Sequence, residues 1–258
     1  MRIVLNADDF GLDADTVRAT IACFEAGQLT SASLMPGMPA FDEAAAFARA
    51  HPEFSFGVHL TFVGGGDERS SAPPAEIPAL VDAEGRFPAT NPVRVKALLR
   101  RLPQDQIERE VAAQVDAVRE QGIPVSHVDS HRHLHKYAPF RAALARVLPR
   151  LGVERVRNVQ DLYISKPFLS PTFLFGKVWR RALMRRFTTT DHFYMPRWGG
   201  DPDWTPILAS LSRDGTLEVG SHPGHEEGWR DAERLALTAF AQAAAAQGHE
   251  LVPWTAIG

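Results

Sequence analysis

Cysteine is nearly missing from this sequence. Cys23 is the only thiol in 258 residues, so no intramolecular disulfide can form. That fits a reducing compartment. Long hydrophobic runs are missing as well: no stretch approaches the roughly 18 apolar residues that a membrane span needs. The opening MRIVLNADDFG has neither an extended apolar segment nor a small-residue cleavage site. A cytoplasmic protein without a signal peptide is therefore expected. There is no excess of positive charge. Lys and Arg number 28 against 31 Asp and Glu, a net charge of −3, which leaves no electrostatic footprint for nucleic acid. Internal repeats, low-complexity tails and linkers are not found.

What is present is an ordinary globular mixture, 45% apolar and 23% charged. A chain of this length can bury roughly three quarters of its unfolded surface and needs no staples. One domain over residues 1–258 is expected.

Along the chain, short apolar runs alternate with helical periods. Ile3, Val4 and Leu5 start a strand that ends at Asp8-Asp9. Asp13 or Asp15 can cap the following helix, which carries Val17, Ile21 and Phe24 at helical spacing. Further strands are expected at 30–35, 54–60, 124–129, 153–159 and 217–221, with a closing strand at 250–252. Helices are expected at 40–50, 103–122, 139–151, 204–212 and 231–247. Two segments break the pattern. Residues 63–92, rich in Gly and Pro, read as a long loop with a short element near Ile77. Residues 160–203 form an aromatic and basic insertion. About seven strands alternating with helices argue for parallel pairing, hence an α/β barrel or a doubly wound sheet.

Four chemically suggestive sites fall at the C-terminal ends of expected strands, the face where parallel barrels carry their catalytic groups. At the first, Asp8-Asp9, one carboxylate can bind a cation while its neighbour acts as a base; the plainer role is a helix cap. His59 follows the apolar FSFGV run. The third is the segment 126–135, whose odd positions are His127, Asp129, His131, His133 and His135. In an extended chain these share one face. Imidazoles suit Zn²⁺ and similar ions, and a nearby carboxylate can fix a tautomer. The plainer role is a polar edge strand. His222, before Pro223, can serve as a general acid or simply form a turn. Arg155 or Arg157, which share a parity, can pair with Asp8.

Asn6 to Gly11, Gly57-Val58-His59, the segment 127–135 and Glu218 to Pro223 together resemble, in order, the motifs of the YdjC-like carbohydrate deacetylases. The likeness runs over nearly the whole chain. It implies a distorted (β/α) barrel related to the NodB-type polysaccharide deacetylases. It implies one divalent metal ion, Mg²⁺ or Zn²⁺, held by Asp9, His59 and His131. It makes Asp8 the base, His222 the acid and Arg157 the base's partner, with His133 and Asp129 toward the substrate. The implied reaction is removal of an N-acetyl group from an amino sugar in an oligosaccharide or glycoconjugate. Relatives also imply a homodimer.

Two rival functions are a metal-dependent phosphoesterase, which often needs a second metal ~4 Å away, and a non-catalytic carbohydrate-binding relative. The stretch from Phe168 to Trp198 does not fit the family pattern. Its Phe173, Trp179, Arg180, Arg181, Arg185 and Arg186 read as an amphipathic helix with solvated arginines, or as a transient membrane-surface contact through 173–187.

Overall fold

The computed structural model describes residues 1–66, 68–165, 170–197, 201–212 and 214–258. The apolar N-terminal run forms β1 (Arg2–Phe10), which lies at the centre of the sheet. Asp13 then caps α1 (Ala14–Glu25) through a reciprocal box with Thr16. The chain continues through β2 (Ser31–Leu34), α2 (Phe41–Ala50), β3 (Ser55–Leu60), α3 (Thr90–Leu98), α4 (Gln104–Glu120), β4 (Val125–Ser130) and α5 (Ala138–Val147). It ends with α6 (Pro171–Met184), β5 (His192–Tyr194), α7 (Pro206–Ala209), β6 (Thr216–Ser221), α8 (Gly228–Ala246) and β7 (Glu250–Leu251).

The strands run in the order β4-β3-β2-β1-β6-β5, with β7 also pairing β1, and every pairing is parallel. The sheet curls. Residues 155–157 bridge β4 to Thr188, just upstream of β5. The expected strand at 153–159 is reduced to this narrow strip. Beyond Arg157 the Asn158 side chain takes over the ladder's partners, donating to the Thr190 carbonyl at 2.8 Å and accepting from the Val159 amide at 2.9 Å.

Alternation sends one face of each strand outward and the other into the curl. From β1, Ile3, Leu5 and Ala7 join the large apolar core under the helices. Val4, Asn6 and Asp8 face inward. At the base, Val4 packs with Val252, Trp254 and Ile257, so the C-terminal segment plugs the strand N-termini. Ser31 and Ser55 accept the amides of Trp254 and Thr255. The upper interior is polar.

Other boundaries differ for local reasons. The helix α3 was not expected: only Val93 and Ala97 are buried, while Val95, Leu98 and Leu99 are exposed, so no apolar stripe marks it. The helix expected at 139–151 stops at Val147, and Pro149 sits in a 3-10 turn that ends at the left-handed Gly152. The one expected at 204–212 is the single turn α7.

Residues 63–92 are not structureless. Arg69 and Arg86 form an antiparallel bridge, Ile77 and Phe87 are buried, and the Ser71 and Ala72 amides donate to the buried Glu110 of α4. In the 160–203 insertion, Phe168 and Trp198 lie outside the described residues. Within α6, Trp179 packs on Tyr137 and Arg180 pairs with Asp161, leaving Leu174, Phe175 and Val178 exposed. Among the described residues no helix is long and apolar enough to cross a membrane.

Candidate active site

The C-terminal ends of β1, β3, β4 and β6 open into a cavity of about 560 Å³. Asp8, Asp9, His59, His131, His133 and His222 all line it. Strict alternation would send Asp9 away from Asp8. Instead Asp9 takes a left-handed backbone, φ 60°, where the pairing of β1 with β2 is irregular. That local kink brings two adjacent carboxylates to one mouth.

Asp9 Oδ1 is the focus of two imidazoles. His59 Nε2 lies 3.3 Å away and His131 Nδ1 3.1 Å away. The three donor atoms lie within 4.8 Å of one another. Asp9 Oδ2 is taken by Arg230, whose Nη2 donates at 2.9 Å. Arg230 in turn lies over the Trp229 ring, 4.4 Å from its centroid. Burial alone would raise Asp9, but His131, His59 and His222 hold its carboxyl well below the usual range.

Beneath this layer is a second one. His59 Nδ1 is 2.8 Å from Asp129 Oδ1, and a carboxylate can only accept, so Nδ1 carries the proton. Ser33 donates to the other Asp129 oxygen at 2.9 Å. Burial opposes charge on His59, yet Asp129, Asp8 and Asp9 outweigh it and raise the imidazolium to about 10. Between Nε2 and Asp9 there is thus a place for a proton or for a cation that replaces it.

Arg157 is completely buried and serves three carboxylates. It grips Asp8 with two hydrogen bonds of 2.5 and 2.7 Å, reaches Asp129 at 2.7 Å, and donates through Nε to Glu218 at 2.8 Å. Asn6 also donates to Asp8, at 3.0 Å. The choice left open between two arginines is settled by depth: Arg155 bonds the Thr255 and Ile257 carbonyls at the base. Burial pushes the Glu218 carboxyl up to about 7 against the pull of Arg157.

His222 follows β6, whose last residue, Ser221, pairs with Ala7 of β1. Glu233 Oε2 accepts both the His222 backbone amide at 2.9 Å and its Nδ1–H at 3.0 Å, leaving Nε2 as the other ring nitrogen. Burial would lower His222, but Glu233, then Asp9 and Asp8, raise it above the ordinary value.

Two expectations change. Asp129 does not face the cavity; it is fully buried and orients His59 and Arg157, so it is not placed to touch a substrate. The odd positions of 127–135 do not share one face, because β4 stops at Ser130. Arg132 and His133 are left-handed (φ 56° and 55°) and turn the chain into a 3-10 segment, His131–Lys136. His127 lies low in the interior, stacked on Trp254 at 4.9 Å, and His135 is buried beside Ser130. Sequence reasoning missed Glu233, Arg230 and Glu218. A signal existed: Arg230 and Glu233 sit on the buried face of α8 with Leu237 and Phe240, and Glu218 interrupts a fully buried strand.

The YdjC-like protein family model matches residues 2–251. The chain belongs to the YdjC-like family. This member is 37% identical over 225 residues to a carbohydrate deacetylase of Geobacillus stearothermophilus, covering 86% of this chain and 79% of the relative. Its fold is that of an Enterococcus faecalis protein proposed to cleave cellobiose phosphate, with a TM-score of 0.79, 22% identity and coverage of 98% and 97%. A Streptococcus mutans CE4 esterase shares the fold more loosely, at a TM-score of 0.51 and 12% identity, with coverage of 97% and 84%. The YdjC-like fold is therefore a curled parallel α/β sheet akin to that of the CE4 esterase.

Proposed function

We propose that this chain is a metal-dependent carbohydrate N-deacetylase. The observation that carries the proposal is the convergence of Asp9, His59 and His131 between a guanidinium-held Asp8 and a carboxylate-held His222. The donor set fits a divalent cation. Two imidazole nitrogens and one carboxylate oxygen suit Zn²⁺, and a more open, hydrated arrangement suits Mg²⁺. His59 already has its tautomer fixed by Asp129, which frees Nε2 as a ligand. Such an ion acidifies water and polarises a carbonyl oxygen.

The protein's own groups divide the remaining work. Asp8 accepts a proton from the water that attacks the acetyl carbon, and Arg157 holds its carboxylate in position. The C–N bond then breaks. His222 gives a proton to the departing amine, which is otherwise a very poor leaving group. Glu233 keeps His222 protonated and aimed. His133, on the cavity wall, would then lie beside the sugar. The products are acetate and a free amino sugar. The relatives' names support an acetylated carbohydrate substrate.

A two-metal phosphoesterase fits less well. The second cluster of donors, Asp8, His59 and Asp129, is the one whose carboxylates Arg157 already neutralises.

The test is acetate release from a panel of N-acetylated mono- and oligosaccharides and lipid-linked amino sugars by metal-reconstituted protein. Asp8→Asn is the control, expected to keep metal and lose at least 100-fold in turnover, the scale of general base catalysis. Release by wild type and not by the variant supports the proposal. Equal release by both removes Asp8 as base. No release, with two metals bound per chain, favours the phosphoesterase; glycan binding without release favours a binding protein.

A further inference from the structure

Behind His133 is a second, smaller cavity of about 90 Å³. That is room for a few waters or one small ion. Its polar lining includes His133, His135, Lys136, Asn158, Tyr163 and Thr172, and among the described residues none that lines it is acidic. His133 belongs to both cavities, so one imidazole separates them.

Three features mark this cavity as built for an anion. Lys136 is 5% exposed, and Thr172 Oγ1 accepts one of its three N–H donors. Among the described residues it has no carboxylate partner, although buried charges are ordinarily paired. Its ammonium is flanked by the rings of Tyr137 and Trp179, each centroid 5.9 Å away. His133, which lines the cavity, has a buried Nδ1 with no hydrogen-bond partner among the described residues. Burial and the nearby Arg94 push the Lys136 ammonium down to about 7, so the group is charged at little cost only when an anion joins it.

We infer that this cavity is a binding site for a small monocarboxylate, with Lys136 as its charged anchor. Size favours a carboxylate of a few heavy atoms over a sugar. Its position, one side chain away from the proposed reaction centre, points to acetate, the anion that the reaction releases. The identity of the ligand as acetate rests on the deacetylase proposal; the existence of a carboxylate site does not.

The test is direct binding of ¹³C-acetate, followed by NMR, to full-length protein with and without Zn²⁺. Formate and butyrate are size probes, and chloride is the control for plain ionic strength. Acetate and formate should bind without metal, and butyrate should bind at least tenfold more weakly than acetate. Lys136→Met, close in length and without charge, should weaken acetate at least tenfold. Thr172→Val, which keeps the ammonium, should weaken it less and serves if the first variant does not fold. His131→Ala separates the sites: acetate held by a metal is lost in this variant, while acetate in the small cavity is retained. Saturable binding that needs Lys136 and survives His131→Ala supports the inference, even if no glycan is deacetylated. Absence of binding to wild type, or equal binding by wild type and both cavity variants, overturns it, even if deacetylation is confirmed.

Discussion

Glu233→Gln isolates a charge without disturbing a shape. Glu233 Oε2 accepts two hydrogen bonds from His222, and its Oε1 has no partner among the described residues. A glutamine can place its carbonyl oxygen at Oε2 and its amide at Oε1, so His222 keeps its position and loses only its counter-charge. At the 3.0 Å separation, Coulomb's law with an effective dielectric of 20 gives a ceiling of about 5.5 kcal/mol, or about four pKa units. Ion pairs of this kind typically shift a pKa by about 1–3 units, because desolvation cancels part of the attraction. His222 is raised in the native protein, with Glu233 foremost among the groups that overcome burial. The variant should therefore lower it by about 1–3 units.

An acid must hold its proton to give it. In wild type, turnover should fall as pH rises through the elevated His222 value; in Glu233→Gln that fall should begin about 1–3 units lower. Metal content and KM should stay near wild type. Two assays check this: the pH profile of kcat for acetate release, and an NMR titration of the His222 ring, which needs no substrate. An unchanged ring titration would refute the electrostatic reasoning. A shifted titration with an unshifted kcat profile would leave the electrostatics intact and remove His222 as the acid.

Two further substitutions probe the interior below the mouth. Gly57→Ala would set a Cβ 2.5 Å from the His127 ring, which has Trp254 stacked on it; overpacking of this sort costs about 1–3 kcal/mol. Thermal unfolding should show a Tm lowered by several degrees, and an unchanged Tm would mean that the ring has room to slide. Glu218→Gln tests proton linkage. The folded state keeps the Glu218 proton up to about 7, whereas the unfolded chain loses it near 4.5. Ionising Glu218 therefore costs folding stability as pH rises across that window, by up to about 3 kcal/mol. Urea unfolding at pH 5 and pH 8 should show a smaller loss in the variant than in wild type. Equal losses would show that Glu218 is ionised at pH 5.

What could be read from the chain follows from one geometric rule. In a parallel sheet, the residue that ends an apolar run stands at the mouth, and Asp8, His59 and His222 each end one. The same rule misled at 127–135. It assumes extended backbone throughout, and two left-handed residues, Arg132 and His133, redirect the chain after Ser130. Asp9 is the opposite case, where a left-handed residue adds a carboxylate to the mouth that alternation would have taken away. Depth was equally hidden. Arg155 and Arg157 share a parity, yet one anchors the plug at the base and the other lies between Asp8, Asp129 and Glu218. Partnerships across the fold, such as Asp9 with Arg230, join elements that sequence distance does not relate, although a charged residue on an otherwise apolar helix face was there to be noticed.

On the proposed mechanism, these placements let two neighbouring carboxylates take different work. Asp8 is paired with a guanidinium, which does not give up its proton in a protein. Its counter-charge is permanent, and no ion has to arrive for the carboxylate to be held in place. Asp9 divides its oxygens. Arg230 claims Oδ2, while Oδ1 faces two imidazoles, whose protons are exchangeable. On that mechanism, a divalent cation at Oδ1 would compete with the proton on His59 Nε2 and not with an arginine. Asp129 favours this exchange by fixing the other proton of His59 on Nδ1. On the proposed mechanism, the difference between base and ligand is set less by the two aspartates than by which cation stands beside each: one that stays, and one that can be replaced.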